Sequence, residues 1–272
     1  VLLPPPVPAS AAASSPVAGP VTLAWPASAT ATRYVVIQQY NGGGWSTVYD
    51  GGGTSATFGT PSSGTYQYQV QACNSSGCSG YRLSNAVGIT LPPASAPGVA
   101  GGGTSTNGAY TITWSGVGGA TSYNVFENVN GGGWAQIANT AGGSWGLGDK
   151  PNGTYYYAVQ ACNAGGCGPW SGQAVVTVAL PPVTPSGVSG GRTGQAYKRH
   201  YEIHWNAVAT TTNYQIERTI PGAGIDYQDA GTTPSSIFVE DTGEVVGQIR
   251  MRVRACNASG CSSWSGYVYA SF

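Results

Sequence analysis

The six cysteines are the residues best placed to do chemistry, and they sit in three copies of one phrase: Ala72–Cys78 (ACNSSGC), Ala161–Cys167 (ACNAGGC) and Ala255–Cys261 (ACNASGC). Two thiols five positions apart could close a hairpin as a disulfide or ligate a metal. Zinc normally takes four nitrogen or sulfur ligands, whereas each copy offers two thiols at the wrong spacing for a zinc knuckle. Disulfides Cys73–Cys78, Cys162–Cys167 and Cys256–Cys261 are therefore expected, and with them an oxidising, secreted or cell-surface setting.

The only histidines, His200 and His204, flank Glu202 on an alternating segment. Alternation puts all three on one face with Lys198 beside them, an arrangement that could hold a metal. It also sends Tyr201, Ile203 and Trp205 to the core side, so the trio is read as an ordinary solvated face. No metal, cofactor or catalytic residue is expected. A nucleophilic triad needs groups converging from several elements, and no such set repeats along the chain. Arg250, Arg252 and Arg254 alternate in the same way and are read as a ladder ion-paired across strands to Glu217.

Two tryptophans are the candidates for ligand binding. Trp45 and Trp134 each follow an Asn-Gly-Gly-Gly turn, and alternation with Val48 or Ile137 turns both rings away from the core, beside Tyr49 in one case and Phe126 in the other. Such rings could stack on a sugar of an extracellular glycan or on a surface protein. They could equally cover a sheet edge. The Asn-x-Ser/Thr sequons at Asn74, Asn152 and Asn257 are read as turn asparagines. No Arg-Gly-Asp occurs to support integrin-type adhesion.

The elements that must position these residues repeat with the cysteine phrase, at a period of about ninety residues. That suits whole domains better than solenoid repeats of roughly 20–50 residues. A Trp followed nine positions later by a Tyr precedes each phrase: Trp25 and Tyr34, Trp114 and Tyr123, Trp205 and Tyr214. Leu-Pro-Pro recurs at Leu91 and Leu180, and the chain opens Val1-Leu2-Leu3-Pro4-Pro5-Pro6. Residues 1–3 are read as the tail of a preceding module, followed by modules at 4–91, 92–180 and 181–272, the whole being an excerpt of a longer polypeptide. Other domains of that polypeptide are the expected partners.

Charged residues are 7% of the chain and the net charge is zero, which argues against nucleic acid, since counterion release needs a basic stripe. No apolar run approaches the roughly twenty residues of a membrane helix. Eight Trp and seventeen Tyr supply core material despite abundant Gly and Pro, so disorder is expected only in the Pro/Ala/Ser stretch from Pro4 to Gly19, part of which could be an irregular first strand. Period-two alternation dominates: Tyr66, Tyr68, Val70 and Ala72 alternate with Gln67, Gln69 and Gln71. Strands are expected at Val21–Trp25, Tyr110–Trp114 and Tyr201–Trp205, then at Arg33–Gln39, Tyr123–Asn128 and Tyr214–Arg218. Hairpin turns follow at Asn41-Gly42 and Asn130-Gly131. The fold class is all-β, three tandem two-sheet sandwiches.

The order of Trp on an early strand, Tyr on the next, Tyr-x-Tyr-x-Val-x-Ala-Cys-Asn, a Gly-containing turn and a final strand resembles the fibronectin type III module in three copies. The resemblance implies core roles for the three Trp/Tyr pairs and a tyrosine corner at Tyr66 and Tyr155, replaced by Ile249 in the third copy. It also implies that the cysteine pair spans the turn between the last two strands, a variant similar to modules of secreted bacterial proteins, including those with RHS or YD repeats. Such modules would form a non-catalytic spacer or interaction stalk. The alternative is a carbohydrate-binding accessory region of an extracellular polysaccharide-active enzyme.

Overall fold

A computed structural model of the protein describes residues 2–193, 199–220, 222, 224–240 and 248–271, excepting the side chains of 193, 199–200 and 235–240. Every regular element among them is a strand, and the sheets fall into three consecutive sets. In the first set Ala12–Ser14, Val21–Ala24 and Ser55–Phe58 face a second sheet of Trp45–Gly51, Arg33–Tyr40 and Gly64–Asn74, to which Gly77–Cys78, Arg82–Leu83 and Val87–Ile89 add. The second set opposes Val99–Ala100, Tyr110–Trp114 and Ser144–Leu147 to Trp134–Thr140, Ser122–Val129, Gly153–Asn163, Gly166–Trp170, Ala174–Val178 and Gly102–Ser105. In the third, Ser189–Thr193, Arg199–His204 and Ser235–Glu240 oppose Gly224–Gly231, Asn213–Ile220, Gln248–Asn257, Gly260–Cys261 and Val268–Ser271. These are three immunoglobulin-like, fibronectin type III-like sandwiches, called units below.

Alternation builds each core. On Gly64–Asn74 the side chains of Tyr66, Tyr68, Val70 and Ala72 are buried while the intervening glutamines are half-buried, and Tyr155, Tyr157, Val159 and Ala161 repeat this in the second unit. Burying each such aromatic or aliphatic side chain contributes about 1.5–3 kcal/mol. The early Trp packs against its Tyr in all three units, with ring centroids 5.7, 5.8 and 5.1 Å apart. Each Tyr hydroxyl then accepts the backbone N–H three residues after the Trp, from Ser28 at 2.8 Å, Val117 at 2.9 Å and Val208 at 2.7 Å. The Tyr66 and Tyr155 hydroxyls donate to the carbonyls of Ser62 and Pro151, both at 2.9 Å. Ile249, buried in the third unit, has no hydroxyl with which to do so.

The Pro4–Gly19 stretch holds the short first strand left open there, at Ala12–Ser14, and is bonded where disorder was expected. Ala12–Ser14 pairs with Val21–Ala24, and Asn85 grips Ala13 from both sides, accepting its N–H and donating to its carbonyl at 2.8 Å each. Pro5 and Pro8 are buried, and Arg82 Nε donates to the Pro8 carbonyl at 2.8 Å. Proline density concealed this, because it removes donors without preventing the chain from accepting bonds from elsewhere. The two Asn-Gly hairpins have positive φ at both turn residues, 48° and 71° at Asn41-Gly42 and 53° and 76° at Asn130-Gly131. That is the type I′ geometry suited to tight strand pairs.

Candidate functional site

The outward face of the larger sheet in the second unit carries an aromatic cluster. Phe126 lies opposite Ala158 on the neighbouring strand, and its ring meets Trp170 at a centroid distance of 4.5 Å. Trp134 pairs with Asn128 two positions along from Phe126 and therefore shares that face. Phe126, Trp134, Ala158, Trp170, Ser171 and Gln173 enclose a cleft of about 320 Å³. Trp134 and Trp170 remain 42% and 50% exposed.

The first unit offers less. Trp45 pairs with Gln39 and is 37% exposed, but among the described residues it has no ring partner. Tyr49, expected beside it, turns inward: its ring packs against Trp25 at 5.8 Å and its hydroxyl accepts the Gly53 N–H at 2.9 Å. The cause is a β-bulge. Val36 pairs with Tyr49 and Ile37 with Thr47, so Val48 is the extra residue and is exposed instead of Tyr49. A bulge reverses the alternation beyond it, which leaves Trp45 outward and Tyr49 in the core.

On the same face of the third unit, Glu217 lies opposite Arg252, and the pair is joined at 2.6 Å. Tyr267 donates to the other carboxylate oxygen at 2.9 Å, and Glu217 is only 2% exposed. Burial alone would raise this carboxyl group's pKa. The bonds from Arg252 and Tyr267 outweigh it and hold the group below its usual range. The expected ladder of ion pairs is reduced among the described residues to Arg252 alone, since Arg254 donates to Gln215 Oε1 at 2.7 Å. Instead all three arginines stack on rings, Arg254 over Trp264 at 4.5 Å, Arg252 between Trp264 and Tyr267 at 5.1 and 4.7 Å, and Arg250 over Tyr267 at 4.8 Å. Cation–π stacking therefore fills the position that is open in the second unit. On the outward face of the opposing sheet, Glu202 and His204 meet at 3.1 Å. Lys198 and the His200 side chain lie outside the described residues, and the described ones hold no cluster of three metal-ligating groups.

The cysteines are bonded as three disulfides, Cys73–Cys78, Cys162–Cys167 and Cys256–Cys261, each pair directly opposite across a hairpin. Each hairpin has a second role. The side-chain oxygen of Asn74, Asn163 or Asn257 accepts the N–H two residues on at 2.8 Å, folding an Asx turn. The amide nitrogen is thereby aimed at the incoming chain, where it donates to the carbonyl of Leu3 at 2.8 Å, Leu91 at 2.8 Å or Leu180 at 3.1 Å. The glycine before the second cysteine, with φ of 125–134°, lies beside the following proline, so a β-carbon there would stand 3.3–3.5 Å from the Pro4, Pro92 or Pro181 ring. The two internal leucines are also held from behind. Ser63 Oγ accepts the Leu91 N–H at 2.9 Å, and Asn152 Oδ1 accepts that of Leu180 at 2.6 Å. The sequon asparagines are thus turn and junction residues.

Residues 19–92 match the family model of the chitinase A N-terminal domain. That stretch coincides with most of the first unit. Among solved structures the chain is similar to the FN1–FN3 domains of chicken CNTN1, with 22% identity over 98% of both chains and a TM-score of 0.40. No curated protein matches the chain.

Of the cleft's lining, Phe126 and Trp134 were expected from the sequence, while Ala158, Trp170, Ser171 and Gln173 were not, and Trp170 is the aromatic residue among these four. Its signal was present: an aromatic residue stands three positions after the second cysteine in every unit, as Tyr81, Trp170 and Trp264. Ala158 had none, because its importance lies in what its neighbours in the other units fill.

Proposed function

We propose that the chain is a non-catalytic extracellular spacer and interaction stalk, with modules at 4–91, 92–180 and 181–272, belonging to a larger secreted or cell-surface protein. The three disulfides support that setting, and the proposed parent is a secreted bacterial protein of the kind that carries RHS or YD repeats. The observation that carries the reading is the double hold on Leu91 and Leu180. Each leucine gives its N–H to the module behind and its carbonyl to the module ahead, and the following prolines restrict the backbone further. A joint held on both sides resists bending, as a spacer requires.

Small-angle scattering tests it. A compact globule of this length would have a radius of gyration of about 19 Å. An extended array must exceed that clearly, and Asn163→Ala together with Ser63→Ala must broaden its distance distribution. A globular profile, or a double variant indistinguishable from the parent, defeats the spacer reading.

A further inference from the structure

In the second unit the outward position beside Phe126 leaves a ring-sized space open, whereas the matching position in each of the other two units carries a long side chain. The floor of this cleft is Ala158. The first unit has Gln69 at that position, opposite Ile37 and beside Leu83, and the third has Arg252, opposite Glu217 and stacked between two rings. Long side chains fill the space in both neighbours. In the second unit a methyl group leaves it empty, with Trp134 and Trp170 as walls.

We propose that this cleft binds a neutral hexopyranose unit of a polysaccharide. None of the six lining residues is ionisable, so an anionic ligand finds no counter-charge there. The walls are aromatic faces, whose negative quadrupoles favour the polarised C–H face of a sugar ring. The polar groups at the rim suit hydroxyls. The indole N–H groups of Trp134 and Trp170 and the side-chain amide of Gln173 have no hydrogen-bond partner among the described residues, and all three side chains are exposed. Ser171 contributes little, since its hydroxyl accepts the Val159 N–H at 2.8 Å and donates to the Gly172 carbonyl at 2.6 Å. A proline-rich segment would also stack on tryptophan, but the Leu-Pro segments described in this chain dock on the disulfide turns instead. The volume lies at the small end of ligand pockets, which run from about 300 to 1,000 Å³, as expected for one or two sugar rings.

The reading goes beyond the spacer function, and its test is independent of the array's shape. The intact chain would be titrated with cellohexaose, hexa-N-acetylchitohexaose, mannohexaose and a proline hexapeptide, followed by tryptophan fluorescence and calorimetry. At least one neutral hexaose is expected to bind in the millimolar to micromolar range. Trp170→Ala and Trp134→Ala should each weaken it at least tenfold, and Ala158→Arg, which plants the third unit's occupant in the floor, should abolish it. Trp45→Ala should leave it unchanged. Absence of binding to every hexaose, binding that survives Ala158→Arg, preference for the proline peptide, or self-association lost in the Trp170→Ala variant would each overturn the proposal.

Discussion

A β-carbon built on Gly165 would stand 1.9 Å from the carbonyl oxygen of Thr90. No side chain fits there unless the preceding unit's exit segment moves, although Ser76 and Ser259 occupy the matching position in the other two units. Gly165→Ser is therefore expected to break the bond from Asn163 to Leu91. Limited proteolysis should cleave near Leu91 several times faster in this variant. An unaltered cleavage rate would mean that the junction yields at no cost.

Two equivalent tyrosines should respond oppositely to losing their hydroxyls. Tyr157 donates to Glu127 at 2.6 Å and accepts from Tyr110 at 2.6 Å, and Lys150 completes the cluster at 2.6 Å from Glu127. The Tyr68 hydroxyl is buried with no partner among the described residues, because Val21 and Gln38 stand where Tyr110 and Glu127 do. Tyr157→Phe should cost its unit about 1–3 kcal/mol, whereas Tyr68→Phe should be neutral or stabilising. Denaturant unfolding resolved by unit checks this, since an array need not unfold in one step.

Alkali should find the first unit through the same residue. Burial, with a smaller contribution from Tyr66, pushes the Tyr68 phenol up to about 12 from 10.0. A raised folded pKa gives stability that is complete below the unfolded value and lost as pH rises through the folded one. Melting temperature should therefore decline between about pH 10 and 12, and Tyr68→Phe should flatten that decline. Equal slopes for parent and variant would count against it.

Acid should act on the third unit. Glu217 is held below its ordinary value of 4.5, so its contribution is present above that pH and disappears as pH falls through the depressed folded value. Glu217→Gln should lower stability at neutral pH by leaving Arg252 without its charge partner, and the difference from the parent should shrink below about pH 4. A gap that stays constant with pH would exclude linkage to this carboxylate.

Much of the fold was legible because its signals are local and repeated. The alternation of Tyr66, Tyr68, Val70 and Ala72 fixes a strand and its buried face, and Asn41-Gly42 fixes a turn. What escaped depends on neighbours distant in sequence. The bulge at Val48 turns Tyr49 into the core, and nothing within Trp45–Gly51 announces it. Pro4–Gly19 read as disordered apart from an irregular first strand, since its bonds come from Arg82 and Asn85, some seventy residues away. For the cleft, Phe126 and Trp134 could be named from alternation. Trp170 could have been found by aligning the three cysteine phrases, but the space over Ala158 emerges only when three strands are laid side by side.

Leu91 and Leu180 enter their clasp through main-chain atoms alone. Such a joint does not read the side chain of the residue it clasps. Units could therefore be duplicated, deleted or exchanged with few compensating substitutions across the seam, provided each carries its own asparagine hairpin and the leucine's prolines and, where the exit segment approaches as Thr90 does, a glycine like Gly165. The grammar of assembly is written within each repeat, which lets the length of the array vary more freely than the sequence of any one part.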